Sequence, residues 1–555
     1  MQTMRSWHDE EDFQTRRGNL MSDVTLPCYC ESDVSLAART YYGIGGTARF
    51  LAFPASLSEF SNLLIWNRTY RFPLALMGSG SNILFSDHEF PGIVISLERM
   101  QRLFWLSDDE LFCEAGVDNT LIAEELFSAG KGGGEWLYRL PGQIGATVRM
   151  NARCFGGEVS EITDGILTLS FDGRLLWKRP DEVFHGYKRT SLMDNPEIVV
   201  AVVLRFPESR PAEKIRSLML GYEEERSKKH HFDFPSCGST FKNNYAAGRS
   251  SGLIFEKLGF KGQSEGGATV SEYHANFIYN KGGAKAEDVL RLVARMRAAA
   301  LEQAGAELDL EVQCVGLFDA ELLASCGVGF EADHRESSQG WVGLLWSPTQ
   351  KENTFQKPLF PRILMQGPLA DYFGFDREFP AGVFVEVEQL CSLEDAAAAP
   401  EAPFLRWITR SNDPLLFSLK APAPAGFTDE LWQYSVSELF IAGALGSGYL
   451  EFEMTPEGHW VALCFDAQRI RAKGFEVLSA EPWNREVSVV QEEKCFGMEF
   501  CWHLLQPFMG EGQVIALQCA ASSGRGEFGL FPWWQMPSLS ADFHQPDQFF
   551  RISLL

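Results

Sequence analysis

The chain contains 555 residues, of which 45% are hydrophobic and 22% are charged, and it carries a formal net charge of −25. This length predicts about three or four domains of roughly 100–200 residues each, and the composition excludes an intrinsically disordered chain. The negative charge argues against non-specific nucleic-acid binding and against docking on anionic lipid, because both require clustered Lys and Arg.

Neither a membrane anchor nor a secretory signal is predicted. No run of about 18 apolar residues occurs, and residues 1–17 mix charges throughout without an apolar signal core. We therefore expect a cytoplasmic protein. The 12 cysteines are scattered, which favours free thiols. The lone pair Cys28 and Cys30 lacks the further ligands that a metal site needs, so no metal is expected.

The first predicted elements follow a polar stretch. Residues 1–35 lack a sustained period and are interpreted as a flexible leader. Residues 36–208 alternate short apolar runs, such as 92–97 and 198–206, with glycine-rich turns and helical stretches, which is typical of an α+β domain. One helix is predicted from residue 56 to about residue 67, with Ser56 as its cap and Glu59 completing a capping box.

Three glycine-dense loops lie in this region: Gly43-Ile-Gly-Gly46, Gly78-Ser-Gly-Ser-Asn82 and Leu140-Pro-Gly-Gln-Ile-Gly-Ala146. Without a Cβ atom, backbone N–H groups can approach phosphate oxygens closely, and glycine adopts the positive φ that such nests require. The Gly-x-Gly-x-x-Gly arrangement of a Rossmann fold is not present. One such loop is usually a plain turn. Three together predict a cradle for a dinucleotide diphosphate.

Residues 209–317 form a second block with longer helical segments. The clearest helix is predicted over residues 286–303, where Val289, Leu292, Val293 and Met296 share one face. This face is typical of a helix that packs on a sheet. The block is interpreted as an α+β substrate domain.

The composition changes after Gly316, and the remaining residues hold nine of the 14 Trp. Residues 318–339 are interpreted as a linker, and residues 340–555 as a mostly β, sandwich-like domain. The alternation of apolar residues with Glu451 and Glu453 predicts a half-buried strand, followed by a turn at residues 456–458.

The loops also carry a resemblance to a known family. Thr40-Tyr-Tyr-Gly-Ile-Gly-Gly-Thr-Ala-Arg-Phe50, Met77-Gly-Ser-Gly-Ser-Asn-Ile-Leu84 and Leu140-Pro-Gly-Gln-Ile-Gly-Ala-Thr-Val148 resemble the FAD-contacting motifs of UDP-N-acetylenolpyruvoylglucosamine reductases. That family has the flavin-binding fold of the vanillyl-alcohol-oxidase type. Arg153, Cys154 and Ala146 replace residues that are smaller in the family. The resemblance implies FAD contacts from Tyr42, Gly43, Ile44, Gly45, Gly46, Gly78, Ser79, Gly80, Ser81, Asn82, Pro141, Gly142, Ile144, Gly145 and Asn151.

The second block resembles the same family in order. Gly238-Ser-Thr-Phe-Lys-Asn243, Leu253-Ile-Phe-Glu-Lys-Leu-Gly-Phe-Lys-Gly262, His274-Ala-Asn-Phe-Ile278 and Leu308-Asp-Leu-Glu-Val312 follow one another as its motifs do. The resemblance covers residues 38–317. It implies an NADPH-dependent, FAD-mediated reduction of UDP-N-acetylglucosamine enolpyruvate to UDP-N-acetylmuramate, a step of peptidoglycan precursor synthesis. The NADPH requirement rests on the resemblance alone.

The resemblance also implies roles for single residues. Ser239 would protonate C2 of the substrate, and Glu311 would polarise the enolate or a bound water. The family's Tyr-Arg-x-Ser pattern meets Tyr187-Lys-Arg-Thr-Ser191 here, which has one residue too many. Aligning Arg189 with the family arginine keeps Arg-x-Ser, whereas aligning Tyr187 with the tyrosine makes Lys188 the cation. Arg189 is the preferred carboxylate-binding residue. Further substrate contacts are implied for Tyr187, Asn243, Lys261 and His274.

The C-terminal region weakly resembles family-nine-type carbohydrate-binding modules in the stretch 449–469 and in Asp542-Phe-His-Gln-Pro546. Its aromatic rings could stack on a glycan or fill a core. Two alternatives to the reductase stay open. One is another FAD oxidoreductase of the same fold. The other, suggested by the irregular Tyr187–Ser191 segment, is a weakened reductase that serves as a glycan-binding scaffold.

Overall fold

The computed structural model shows a mixed α+β protein, as expected from the sequence. The structure describes residues 26–171, 173–195, 197–245, 248–332, 338–344, 362–368, 383–411, 436–443, 448–457, 459–467, 470–471, 487–492, 495–506, 514–522, 528–531 and 550–553. In these ranges no helix is both long and apolar enough to cross a membrane.

The first part of the chain alternates strands with helices. Its strands are β1 (Cys30–Ser35), β2 (Thr47–Ala52), β3 (Leu74–Met77), β4 (Ile83–Phe85), β5 (Phe90–Ser96), β6 (Leu103–Trp105), β7 (Glu110–Glu114), β8 (Arg153–Cys154), β9 (Gly157–Glu158), β10 (Thr163–Ser170), β11 (Leu175–Lys178) and β12 (Glu197–Arg205). Its helices are α1 (Leu57–Tyr70), α2 (Asn119–Ala129), α3 (Ile144–Arg149), α4 (Val159–Ile162), α5 (Pro180–Val183) and α6 (Ser191–Asp194).

Helix α1 confirms the predicted start, since the Ser56 hydroxyl accepts a hydrogen bond from the backbone N–H of Glu59 at 3.1 Å. The Glu59 carboxylate accepts from the N–H of Ala55 at 2.9 Å, one residue earlier than a capping box requires. The helix runs three residues past the predicted end, to Tyr70, because the backbone turns left-handed only at Arg71 (φ 57°).

The second block contains α7 (Ala212–Lys228), α8 (Ser251–Lys257), α9 (Ala286–Ala304), β13 (Ser264–Glu265), β14 (Ala268–Val270), β15 (Ile278–Asn280) and β16 (Gln313–Asp319). Helix α9 confirms the predicted helix to within one residue. Val289, Leu292, Val293 and Met296 are buried, and the helix packs on β13 and β14.

Strand β16 joins this block to the flavin half of the chain, because it pairs in parallel with β4. Residues just before the two strands are thereby brought together. The N–H of Gln313 donates to the carbonyl of Asn82 at 3.0 Å, and the Asn82 amide donates to the carbonyl of Glu311 at 3.2 Å.

The C-terminal region is rich in strands, as expected. It contains β17 (Glu331–Ala332), β18 (Gln339–Val342), β19 (Arg362–Pro368), β20 (Val383–Gln389), β21 (Pro403–Ser411), β22 (Val436–Ala442), β23 (Tyr449–Met454), β24 (Trp460–Ala467), β25 (Ile470–Arg471), β26 (Val487–Glu492), β27 (Cys495–Cys501), β28 (Val514–Ser522), β29 (Phe528–Phe531) and β30 (Phe550–Ser553). Its helices are α10 (Ala320–Ser325), α11 (Leu393–Ala398) and α12 (Trp502–Leu505).

Strands β17 and β18 extend the sheet of β16 and β4, and the other strands of this region form two sheets. One continues the sheet of the flavin half, in the order β26-β27-β21-β20-β19-β11-β10-β12-β7-β6 among the described residues. The other has the order β25-β24-β23-β22-β28-β29, with β30 also pairing with β28. The two sheets meet face to face, where the hydroxyls of Thr409 and Ser437 lie 2.5 Å apart and the rings of Phe452 and Phe500 lie 4.5 Å apart.

Three sequence expectations differ from the structure. Residues 30–35 of the expected flexible leader form β1, which pairs with β2. The expected linker 318–339 contains α10 and β17. Strand β23 was predicted to be half-buried, but Glu451 and Glu453 are only 4% and 2% exposed. Alternation of polar and apolar residues marks two faces, and it does not show whether the polar face is covered.

The described tryptophans of the C-terminal region favour the core interpretation over glycan stacking. Trp341, Trp407 and Trp502 are buried, and Trp460 is partly buried against the core. Trp407 is 0% exposed and lies in β21, between β20 and β27. The Asp542–Pro546 segment lies outside the described residues, as do residues 468–469 of the first stretch.

We expect Trp407→Ala to lower the free energy of unfolding of the C-terminal region by about 3–5 kcal/mol, because it leaves a large cavity in a close-packed sheet interface. Val489 in β26 is 41% exposed, so Val489→Ala should change the free energy of unfolding by less than about 0.5 kcal/mol. Scanning calorimetry of both full-length variants measures the difference. Equal melting profiles would contradict the enclosed position of Trp407.

Candidate active site

The three glycine-rich loops lie against one another. The N–H of Tyr41, just before the first loop, donates to the carbonyl of Gly80, in the second, at 3.0 Å. The Ser81 hydroxyl donates to the carbonyl of Pro141, in the third loop, at 3.2 Å. The second loop follows β3, and the third leads into α3. The structure thus brings together three segments that are up to about 100 residues apart in the sequence.

Two glycines are required by this close approach. A Cβ atom on Gly46 would lie 2.1 Å from the carbonyl oxygen of His88, and one on Gly80 would lie 2.5 Å from that of Arg39. Gly80 also has φ +72°, a conformation that L residues rarely adopt. Backbone atoms cannot move aside as a flexible side chain can, so both positions exclude larger residues.

The loop after β3 has the donors that a phosphate needs. None of the hydrogen bonds among the described residues uses the backbone N–H groups of Ser79, Gly80, Ser81 or Asn82. The Ser79 hydroxyl is buried and has no hydrogen-bond partner among the described residues. Buried polar groups are rarely left unpaired, so these donors indicate a bound anion. They fit the diphosphate of FAD.

The other expected flavin contacts divide into two kinds. The side chains of Tyr42 and Ile44 are 1% exposed and belong to the core of the second block, so contacts with a cofactor would come from their backbone. Asn151 has a left-handed backbone (φ 41°). Its amide donates to the carbonyl of Gly186 at 2.9 Å, and its buried Oδ1 has no described partner.

Lys188 and Glu311 form a nearly buried ion pair. Lys188 Nζ lies 2.5 Å from Glu311 Oε1, and each side chain is 12% exposed. A tight turn orients the lysine: the N–H of Arg189 donates to the carbonyl of Gly186 at 3.2 Å, and Lys188 has φ 53°. Arg189, the preferred cation of the sequence analysis, is exposed. The turn therefore directs Lys188 inward, beside the loop that contains Asn82, and Arg189 outward.

Tyr187 stands beside this pair. Burial, with the Glu311 carboxylate and Tyr245 nearby, raises its pKa to about 12. Its ring meets that of Tyr245 edge-on at 5.0 Å. Both rings line a cavity of about 490 Å³, together with Lys188, Arg189, Met193, Lys242, Asn243, Asn244, Glu307 and Asp309. Tyr245 itself is 62% exposed at the cavity rim.

Ser239 lies in a short extended segment that has a different part of the chain on each side. Ser239 pairs with Phe277 on one side, and Phe241 pairs with Leu310 on the other. The N–H of Glu311 donates to the carbonyl of Thr240 at 2.8 Å, so Ser239 is adjacent to the Glu311 backbone. Among the described residues its hydroxyl makes no hydrogen bond and is free to donate to a ligand.

Asn243, Lys261 and His274 surround α8. Asn243 Oδ1 accepts from the N–H of Ser251 at 3.0 Å, and Lys261 pairs with Glu256 at 2.6 Å. Burial lowers the pKa of His274, and Lys229 acts in the same direction. The His274 ring lies 4.4 Å from that of Phe277, on the side of the Ser239 segment away from Glu311, whereas Asn243 also lines the cavity that contains Lys188.

The sequence interpretation weighed the alignment that makes Lys188 the cation, but it missed that Thr190 then stands where the family has serine. In that alignment Tyr187-Lys-Arg-Thr190 matches the family's Tyr-Arg-x-Ser pattern without an extra residue. Thr190 is fully buried, and its hydroxyl donates to the carbonyl of Arg149 at 2.7 Å. Lys242 and Tyr245 were also missed as cavity residues, because a lone lysine or tyrosine has no distinctive spacing.

Two family models match the first part of this chain. Residues 48–177 match the family model described as FAD binding domain. Residues 230–315 match the model described as UDP-N-acetylenolpyruvoylglucosamine reductase, C-terminal domain. Neither match reaches the C-terminal region, so the glycan-binding expectation gains no support.

Curated relatives cover the same half of the chain. The UDP-N-acetylenolpyruvoylglucosamine reductase of Geobacter metallireducens is 34% identical over 284 residues, which is 51% of this chain and 93% of the relative. That of Acaryochloris marina is 32% identical over 292 residues, 52% of this chain and 94% of the relative. The crystal structure of UDP-N-acetylenolpyruvylglucosamine reductase from Thermus caldophilus aligns with 30% identity and a TM-score of 0.44, covering 52% of this chain and 99% of that one.

We expect Gly80→Ala to weaken FAD binding by at least about tenfold, because the new Cβ would force the first and second loops apart. Gly130 is a matched control: it also has positive φ (+67°), but a Cβ there would come no closer than 3.8 Å to another atom. Gly130→Ala should lower the free energy of unfolding by about 1–2 kcal/mol and leave the affinity for FAD unchanged. Flavin fluorescence titration of both apoproteins measures this, and equal affinities would refute a role for the loop contact.

A second expectation concerns acid stability. Burial, with His274, Lys229 and Arg226 nearby, lowers the pKa of His231 to about 4. The folded protein thus keeps His231 neutral, while the unfolded chain takes up a proton below about pH 6.5. Stability is therefore lost as the pH falls from about 6.5 towards 4.

His231→Phe should reduce the drop in melting temperature between pH 7 and pH 5. His185→Phe, at an exposed position, serves as the control and should leave that drop unchanged. Thermal melts at the two pH values measure both. The expectation fails if His231→Phe and the unsubstituted protein lose the same number of degrees.

Proposed function

We propose, since this chain belongs to the UDP-N-acetylenolpyruvoylglucosamine reductase family, that it reduces UDP-N-acetylglucosamine enolpyruvate to UDP-N-acetylmuramate in the cytoplasm, as a step of peptidoglycan precursor synthesis. FAD is the cofactor, and NADPH is the proposed electron donor. The proposal rests above all on one observation: the Lys188–Glu311 pair adjoins both the flavin loop at Asn82 and the segment that contains Ser239.

The chemistry requires a cation beside the substrate carboxylate. A bound flavin, once reduced by the proposed donor NADPH, would supply the hydride that adds to C3 of the enolpyruvyl group. Negative charge then develops at C2 and spreads into the carboxylate, as in an enolate. We assign the stabilising charge to Lys188, because it is almost enclosed and lies beside the flavin loop, where a charge acts strongly on a developing anion. Arg189 is exposed and is better placed at the rim.

Ser239 is the proposed proton donor. Its hydroxyl has no partner among the described residues, and its backbone is held by strand-like pairing with Phe277. A serine hydroxyl is a weak acid, so only a strongly basic carbanion at C2 can take its proton. Glu311 is proposed to fix the position of the Lys188 ammonium and to accept a hydrogen bond from it or from a bound water.

The remaining polar residues of the cavity would hold the rest of the substrate. Lys242 and Arg189 provide positive charge for a nucleotide diphosphate, while Tyr187 and Asn243 provide neutral hydrogen-bonding groups. Lys261 and His274, on the other side of Ser239, are further proposed substrate contacts. With Lys188 proposed as the cation, the 187–190 segment fits the family pattern without a gap and gives no support to a weakened enzyme.

We expect Ser239→Ala to slow reoxidation of the reduced flavin by the enolpyruvyl nucleotide by about 10²–10⁴-fold. Reduction of the flavin by NADPH should stay within about twofold of the unsubstituted rate, because no proton at C2 is involved. Ser236→Ala removes a hydroxyl from the same loop and is the control. Stopped-flow measurement of the two half-reactions tests this, and equal slowing of both would exclude the proton-donor role.

The cation assignment has its own test. We expect Lys188→Met to lower kcat/KM for the enolpyruvyl nucleotide by about 10–100-fold, the worth of a charge-assisted hydrogen bond. Lys188→Arg should recover most of the activity, and Arg189→Met should lose less than about fivefold. A melting temperature for each variant separates loss of fold from loss of function. A larger defect in Arg189→Met than in Lys188→Met would reverse the assignment.

A further inference from the structure

The C-terminal region is attached to the flavin half along an open edge of its sheet. Strand β11 pairs with β10 on one side and with β19, in parallel, on the other, with Leu175 opposite Met365 and Leu176 opposite Gln366. An unpaired edge strand exposes a row of N–H and C=O groups that can pair with other chains. Here the protein's own C-terminal region covers that edge.

A second attachment lies at helix α1. Ser61 is fully buried in the helix, and its hydroxyl donates to the backbone carbonyl of Arg551, in β30, at 2.5 Å. Strand β30 is packed against this helix. The two attachments therefore come from opposite ends of the C-terminal region, one from its β19 and one from its final described strand.

The two parts also share one hydrophobic core. Leu175 and Leu64 of the flavin half belong to the same cluster of buried side chains as Leu364, Met365 and Val385 of the C-terminal region, all of them at most 1% exposed. A tethered module would have its own core, with polar groups at its boundary. Continuous apolar packing instead makes separation costly, because it exposes apolar surface on both parts.

Both attachments connect to the flavin loops, one through a single strand and the other across the sheet. At the end of helix α1, the Asn67 amide donates to the carbonyl of Phe72 at 2.9 Å, and the N–H of Phe72 donates to Asn67 Oδ1 at 3.0 Å. Strand β3 follows and leads directly to the loop of Ser79. On the other side, the sheet runs from β11 through β10 and β12 to β7, and the carbonyl of Ala115, which follows β7, accepts from the N–H of Gly145.

We propose that the C-terminal region is a fixed structural partner of the flavin domain, and that its docking on β11 and α1 maintains the FAD-binding loops. The C-terminal region thus acts like a subunit within the same chain. It covers the edge of the sheet at β11 and one face of helix α1. The proposal depends on FAD binding alone and not on the identity of the substrate.

The test uses the full-length protein with a specific protease sequence introduced between residues 345 and 361. After cleavage, the two fragments should co-elute in gel filtration, with the flavin absorbance in the same peak. Separation of the fragments, with flavin retained by the N-terminal one, would overturn the proposal.

A point variant tests the link to flavin binding. Ser61→Gln should push β30 away from α1 and raise the FAD dissociation constant of the full chain by at least about fivefold. Thr69→Gln, at an exposed position of the same helix, should stay within about twofold. If Ser61→Gln and Thr69→Gln bind FAD equally, docking does not support the flavin loops and the proposal is refuted.

Hydrogen exchange of the uncut protein supplies a measurement that does not depend on cleavage. Amides of β11 should exchange as slowly as those of β10, because both strands are paired on two sides. Exchange of the β11 amides at the rate of an open edge strand would show that β19 is not docked in solution, and this too would overturn the proposal.

Discussion

The ion pair between Lys188 and Glu311 is the contact on which the candidate active site depends. Lys188 comes from a turn of the flavin half and Glu311 from the segment just before β16 of the second block, so the pair links the two parts at their boundary. Removing two charges from water is expensive unless each compensates the other. Their burial therefore fixes the two blocks in one register and leaves the lysine where an additional anion, the substrate carboxylate, would meet it.

Local patterns in the sequence predicted the elements well. Helices α1 and α9 follow from a serine cap and from one apolar face, and the three glycine loops were recognised by the missing side chains that close contacts require. The direction of the turn at residues 186–189 was not predictable, because nothing in a Lys-Arg pair shows which residue points inward. The positive φ of Lys188 decides that, and positive φ in a lysine has no sequence signal.

The C-terminal region shows a second limit of prediction from local sequence patterns. Periodicity predicted its strands, but not the burial of Glu451 and Glu453, nor the pairing of β19 with β11. The pairing joins segments nearly 200 residues apart, which local patterns do not encode. The change in composition after Gly316 predicted a further domain, whereas the apolar core runs on without a boundary. A change in composition thus says little about whether two regions pack together.

The pairing of β11 with β19 has a consequence for biosynthesis. The partner of Leu176 lies at residue 366, so the ribosome must add about 190 residues before this edge can be closed, which takes roughly 10–40 s at the usual rates of translation. During that interval the nascent flavin domain presents an open, apolar strand to the crowded cell. Chaperone engagement and aggregation on overproduction should therefore concentrate in this window, and slowing translation beyond residue 178 should lengthen it.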